Sequence, residues 1–146
     1  MQMKIEEIIA QVFQQAKLIG VCPRFTGQEK TLEDIIRLFT SPQGIEYCIE
    51  HHFPNIATLR LFKGFGAEKY GIYIDAGVIT LKNPKCAVLI GRTSATVNVD
   101  SLDEHNITFM HGAKGTVNAS GWAVVRVTEG RGCNVIRNVF NNAVIL

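Results

Sequence analysis

The chain has 146 residues, 47% of them hydrophobic, enough for one ordinary core or for two small sub-domains that support each other. Its 15 Lys and Arg against 13 Asp and Glu leave a formal charge of +2, too near balance to imply attraction to nucleic acid or to an anionic membrane. No apolar run approaches the roughly 20 residues that cross a bilayer. The first helical stretch, Lys4 to Ile19, is interrupted by Glu6, Glu7, Gln11, Gln14, Gln15 and Lys17, so neither a signal peptide nor a membrane span is expected, and the expected location is cytoplasmic.

Residues 1–65 read as a helical region. Ile5, Ile8, Ile9, Val12, Phe13, Ala16 and Leu18-Ile19 make one apolar stripe at helical spacing, which Gly20 and Pro23 are expected to stop. Thr31 is placed to cap a second helix with Glu33 and Asp34 in its first turn. Ser41-Pro42 starts a third, with proline at the first helical position, and Pro54-Asn55 separates it from a short fourth carrying Ile56, Leu59 and Phe62. Four short helices cannot each bury a face alone, so they must pack together or onto the C-terminal half of the chain.

After Lys63-Gly64-Phe65-Gly66 the grammar changes, and residues 66–146 alternate as short strands. A unit recurs in which a small residue stands two before a Val or Ile. Its centres are Val78, Val88, Val97, Ile107, Val117, Val125, Val135 and Val144, so that every second one lies eighteen to twenty positions on. Positions two before, at and two after each centre share one face, which is read as inward. Turn residues such as Lys82-Asn83-Pro84, Gly91-Arg92-Thr93 and Glu129-Gly130-Arg131-Gly132 stand between the strands. The chain thus reads as an α+β protein, with about four short helices before a parallel β-solenoid of two strands per coil and about four coils. An antiparallel β-meander is the rival arrangement; it does not require matching residue types at every centre.

On this frame Ile79, Leu81, Ala87 and Leu89 face outward, an oily early surface that the helices would cover. Later outward positions are polar: Thr96, Asn98, Thr108, Asn118 and Ser120. Outward Ile136 and Ile145, with Phe140 in the turn between them, mark an uncovered last coil whose edges suit a homo-oligomer or a protein partner.

Little here speaks of catalysis. Cys22, Cys48, Cys86 and Cys133 lack the C-x-x-C spacing of zinc or redox sites. His51-His52 suits a helix end, His105 an inward anchor and His111 a turn. Gly64, Gly66 and Gly71 precede a strand instead of trailing one, the reverse of a dinucleotide cradle, and read as a hinge. No nucleophile elbow, Walker motif or H-E-x-x-H helix is present, and no cofactor or metal is expected. Trp122, alone in a turn, could stack on a sugar, but plugging a coil end is the favoured role.

Two segments, Gly44 to Arg60 and Tyr70-Gly71-Ile72-Tyr73-Ile74-Asp75 with Val78 and Leu81 after it, carry a resemblance. Together they resemble an uncharacterised family of short proteins from Bacteroides-type gut bacteria and their phages or mobile elements, with a helical N-terminus and a repetitive, strand-rich C-terminus. The resemblance implies architecture and origin and transfers no catalytic residue. The expected function is that of a non-enzymatic structural or interaction protein. The alternatives are a carbohydrate-binding module using Thr96, Asn98, Thr108 and Asn118 with Trp122, and, third, a solenoid acyltransferase with His105 or His111 as base.

Overall fold

The computed structural model describes residues 4–19 and 31–146, with side chains to Ala16 in the first segment. It divides into two compact units at Tyr70 and Gly71.

The first unit holds helices α1 (Ile5–Ile19), α2 (Leu32–Thr40), α3 (Pro42–His51) and α4 (Ile56–Leu61), then a 3-10 turn over Ala67–Tyr70. Each of the last three helices begins where a side chain satisfies an otherwise orphaned amide. Thr31 accepts from the Asp34 amide at 3.1 Å while the Asp34 carboxylate accepts from the Thr31 amide at 3.3 Å, a reciprocal capping box. Ser41 accepts from Gly44 at 3.1 Å ahead of Pro42, and Asn55 accepts from Thr58 at 2.9 Å. At the other end of α3, His52 turns left-handed, and the Phe53 amide closes onto the Cys48 carbonyl at 3.0 Å. Ile8, Ile9, Val12, Ala16, Ile35, Cys48, Phe53 and Phe62 are buried. Phe53 meets Phe39 and Tyr47 edge-on at centroid separations of 5.4 and 5.5 Å. The Gln15 amide donates to the Thr58 hydroxyl, tying α1 to α4. The expected stop at Gly20 and Pro23 lies outside the described residues. The unit closes at Tyr70, later than the Phe65 boundary read from the sequence, because residues 67–70 coil into a turn that packs on α2.

The second unit is the solenoid. Its strands are β1 (Ile72–Ile74), β2 (Gly77–Lys82), β3 (Cys86–Ile90), β4 (Thr93–Val99), β5 (Glu104–Met110), β6 (Lys114–Ala119), β7 (Val124–Glu129), β8 (Asn134–Val139) and β9 (Val144–Ile145). Odd strands form one sheet, in the order β1-β3-β5-β7-β9, and even strands β2-β4-β6-β8 the other. Every pairing is parallel, so the chain winds through four coils and opens a fifth with β9; a meander would pair its neighbours antiparallel.

The pitch is not uniform. Ile72 lies under Val88 and Gly77 under Thr93, so the first coil advances the numbering by sixteen. From there each coil advances it by twenty: Cys86 to Asn106, Ser94 to Lys114, Glu104 to Val124, Lys114 to Asn134 and Val124 to Val144. In the later coils the half-coil is ten positions long. Four-residue corners begin at Met110, Ser120, Gly130 and Phe140, each closed by the fourth residue's amide donating to the first residue's carbonyl at 3.2 to 3.3 Å. Each corner includes one or more left-handed residues, His111 and Gly112, Gly121, Gly132 and Asn141 respectively, and ends on a small one facing the lumen: Ala113, Ala123, Cys133 and Ala143.

The lumen is lined by Ala95, Val97, Val99, Ile107, Phe109, Val117, Ala119 and Val125, all buried, as the repeat frame requires for β4 to β7. Phe109 fits because Gly115 faces it. A Cβ there would stand 2.2 Å from the Ala95 carbonyl oxygen and 3.1 Å from the Phe109 ring.

Three of the eight assigned centres are one residue out. Val78 is 90% exposed, and Ile79 and Leu81 face the core instead. Ala87 and Leu89, not Val88, are the lumen residues of β3, and on β9 Ala143 and Ile145 face inward while Val144 does not. The error has a physical source. In β3 both alternating sets, Cys86-Val88-Ile90 and Ala87-Leu89, are apolar, so hydrophobicity cannot say which is inside. The oily residues assigned to an early outer surface are in fact lumen residues.

Candidate interaction surface

Where pairing is parallel and in register, side chains of successive coils form columns. The outer face of the even sheet has three. One runs Val78, Ser94, Lys114, Asn134; the next Thr80, Thr96, Thr116, Ile136; the third Lys82, Asn98, Asn118, Asn138. The asparagines form a ladder: the Asn118 amide donates to the Asn98 carbonyl oxygen at 3.0 Å and Asn138 to Asn118 at 2.8 Å. Such a ladder holds the face flat and fixes its register.

Thr96, Asn98 and Asn118 thus belong to one surface. Thr108 does not: it lies on the odd sheet, in the column Ile72, Val88, Thr108, Thr128, and is buried. Equal spacing along the chain hid the change of sheet, because each half-coil crosses to the opposite side. Trp122 sits in the corner after β6, 66% exposed, at the position Leu102 holds one coil below. It plugs nothing.

The last coil differs in chemistry. Its Ile136, Val139, Phe140, Val144 and Leu146 are all exposed. Ile136 comes after three threonines in its column, Phe140 after Asp100 and Ser120, and Leu146 after Asn106 and Arg126. Ile145 is part of the core and not of this surface. Among the described residues, β8 pairs only with β6 and β9 only with β7, so each has one free edge. Arg137 lies in register over Val117, its guanidinium 3.8 Å from the Glu129 carboxylate and 3.4 Å from the Val135 carbonyl, to which it donates. An inward charge of this kind disfavours edge pairings that would set it opposite a like charge.

His105 is fully buried, with Nδ1 2.7 Å from the Pro84 carbonyl and Nε2 2.9 Å from the Ser101 hydroxyl. A carbonyl only accepts, so Nδ1 donates to Pro84. Both ring nitrogens are thus engaged at the corner. No disulfide joins Cys48, Cys86 or Cys133 among the described residues, and burial pushes the Cys86 and Cys133 thiols up, away from the reactive thiolate. Among the described residues no three His, Cys, Asp or Glu side chains are grouped to hold a metal ion, and no helix is long and apolar enough to cross a membrane.

Asn138 and Thr116 complete the outer columns, and sequence reasoning passed over them; Thr80, which the repeat frame set inward two after Val78, is on the outer face as well. The signal was the identity of Asn98, Asn118 and Asn138 at a constant spacing of twenty, which a frame drifting between eighteen and twenty obscured. No family model, curated protein or solved structure matches the chain.

Proposed function

We propose that the chain is a non-enzymatic assembly protein that associates with a second copy of itself through the last coil of its solenoid. One observation carries this reading. The columns that hold Thr116, Ser120 and Arg126 in one coil become Ile136, Phe140 and Leu146 in the next, beside two free strand edges. Exposed apolar groups gathered beside unpaired backbone donors and acceptors mark a contact surface.

Light scattering after size exclusion, over a range of concentrations, tests it. The expected mass is twice the 16.2 kDa of one chain, falling to a single chain in Phe140→Lys. A monomer at every concentration would overturn the reading. It would favour the flat Thr and Asn face as a carbohydrate-binding surface, with Trp122 exposed at its margin as the stacking group. Saccharide-dependent stabilisation lost in Trp122→Ala would mark that alternative.

A further inference from the structure

This inference rests on the self-association just proposed and gives it a geometry. The amides of Asn134, at the start of β8, and of Phe140, just past its end, donate to the Ala113 and Ala119 carbonyls, at 3.4 and 2.8 Å. Alternation along the strand therefore turns the N–H and C=O groups of Val135, Arg137 and Val139 to the free edge. Side chains alternate with the same period. Val135, Arg137 and Val139 are in register with the lumen residues Gly115, Val117 and Ala119, and Asn134, Ile136 and Asn138 point out.

Coil size limits what can stack on this end. The first coil advances by sixteen, from Ile72 to Val88, and the last by twenty, from Val124 to Val144, so a last coil matches another last coil and not a first one. Two copies meeting end to end are related by a two-fold axis, which lays β8 antiparallel to its counterpart. Directly opposite residues of antiparallel strands point to the same side. The two lumens then stay continuous, and the free N–H and C=O groups meet, only when the axis passes through a residue. An axis through Arg137 would set two guanidinium groups opposite each other inside, a destabilising like-charge pair. Axes through Val135, Ile136 or Asn138 avoid this, and the one through Ile136 pairs the most of β8, Asn134 to Asn138.

The geometry points to a two-fold dimer in which Ile136 faces Ile136 of the second copy. Val135 and Arg137 exchange backbone hydrogen bonds with Arg137 and Val135 of the second copy, and Asn138 meets Asn134. The asparagine ladder continues across the junction. Pairing displaces the 3.4 Å bond from the Arg137 side chain to the Val135 carbonyl and leaves the guanidinium to Glu129. Ile136 occupies a non-hydrogen-bonded position, where opposed Cα atoms lie about 4.5 Å apart, within the reach of a disulfide.

Ile136→Cys is compared with Val78→Cys and with the parent, each mildly oxidised and run without reductant; folding is checked by circular dichroism. The expected result is a disulfide-linked dimer from Ile136→Cys alone. Ile136→Lys, which sets two ammonium groups face to face, is expected to reduce the light-scattering mass to one chain. A parent dimer with no link at position 136 would overturn this axis and leave self-association standing. A monomeric parent would overturn both, and a mass growing beyond two chains would overturn the closed two-fold arrangement.

Discussion

Coil one and the later coils are built by different rules. The first coil, from Ile72 to Val88, is the shorter and is held at its corners by side chains: the Asp75 carboxylate accepts from the Arg92 amide at 2.8 Å, and Asn83 both donates to the Asp100 carboxylate and accepts from its amide at 2.8 Å. In the later coils most corners close on their own backbone, and the outer face is tied by asparagine amides. The strands differ too. In β3 both faces are apolar, whereas in β4 buried Ala95, Val97 and Val99 alternate with polar Ser94, Thr96 and Asn98. Regular alternation makes a solenoid legible; the first coil packs the same kind of lumen without it.

The sharpest way to break this comparison is a charge in the lumen. Leu89→Asp and Val117→Asp, both at fully buried positions, are each expected to cost about 4 kcal/mol or to prevent folding, because each buries an unpaired carboxylate. Denaturant unfolding measures it, and a Leu89→Asp variant as stable as the parent would return β3 to the opposite face assignment. A smaller effect belongs to the outer ladder. Asn118→Ala removes the bonds to Asn98 and from Asn138, and about 1 kcal/mol of stability should go with them. The smallest belongs to the first coil's surface: Val78→Asp, at a site 90% exposed, should stay within about 0.5 kcal/mol of the parent. The contrast between Leu89 and Val78 is informative because the repeat frame predicts the reverse.

Legibility tracked the range of the interaction. Helix starts at Thr31, Ser41 and Asn55 are decided within three or four residues, and the sequence located all three. The faces of β4 to β7 were readable because polar and apolar residues alternate there, and parallel pairing is then implied by the matched units. What could not be read depends on more than the strand itself. The first coil is shorter than the second by four positions, an even number that keeps the alternation in phase, but β3 is apolar on both faces and β9 is two residues long, so neither strand shows which of its sets is inside. The same limitation split the surface residues. Asn98 and Asn118 were grouped correctly and Asn138 was missed, while Thr108 was grouped with residues on the opposite sheet.

The ten-position half-coil sets the unit in which this protein can change size. Removing or duplicating a whole coil, such as Ser94 up to Ala113, lowers or raises the stack by one storey and returns every later side chain to its former side. A change of half that length leaves inward residues inward but moves each later strand to the opposite sheet, so the asparagine row would stop and resume on the other wall. Length is therefore available to this architecture in whole coils, and the identity of its outer faces survives only those changes.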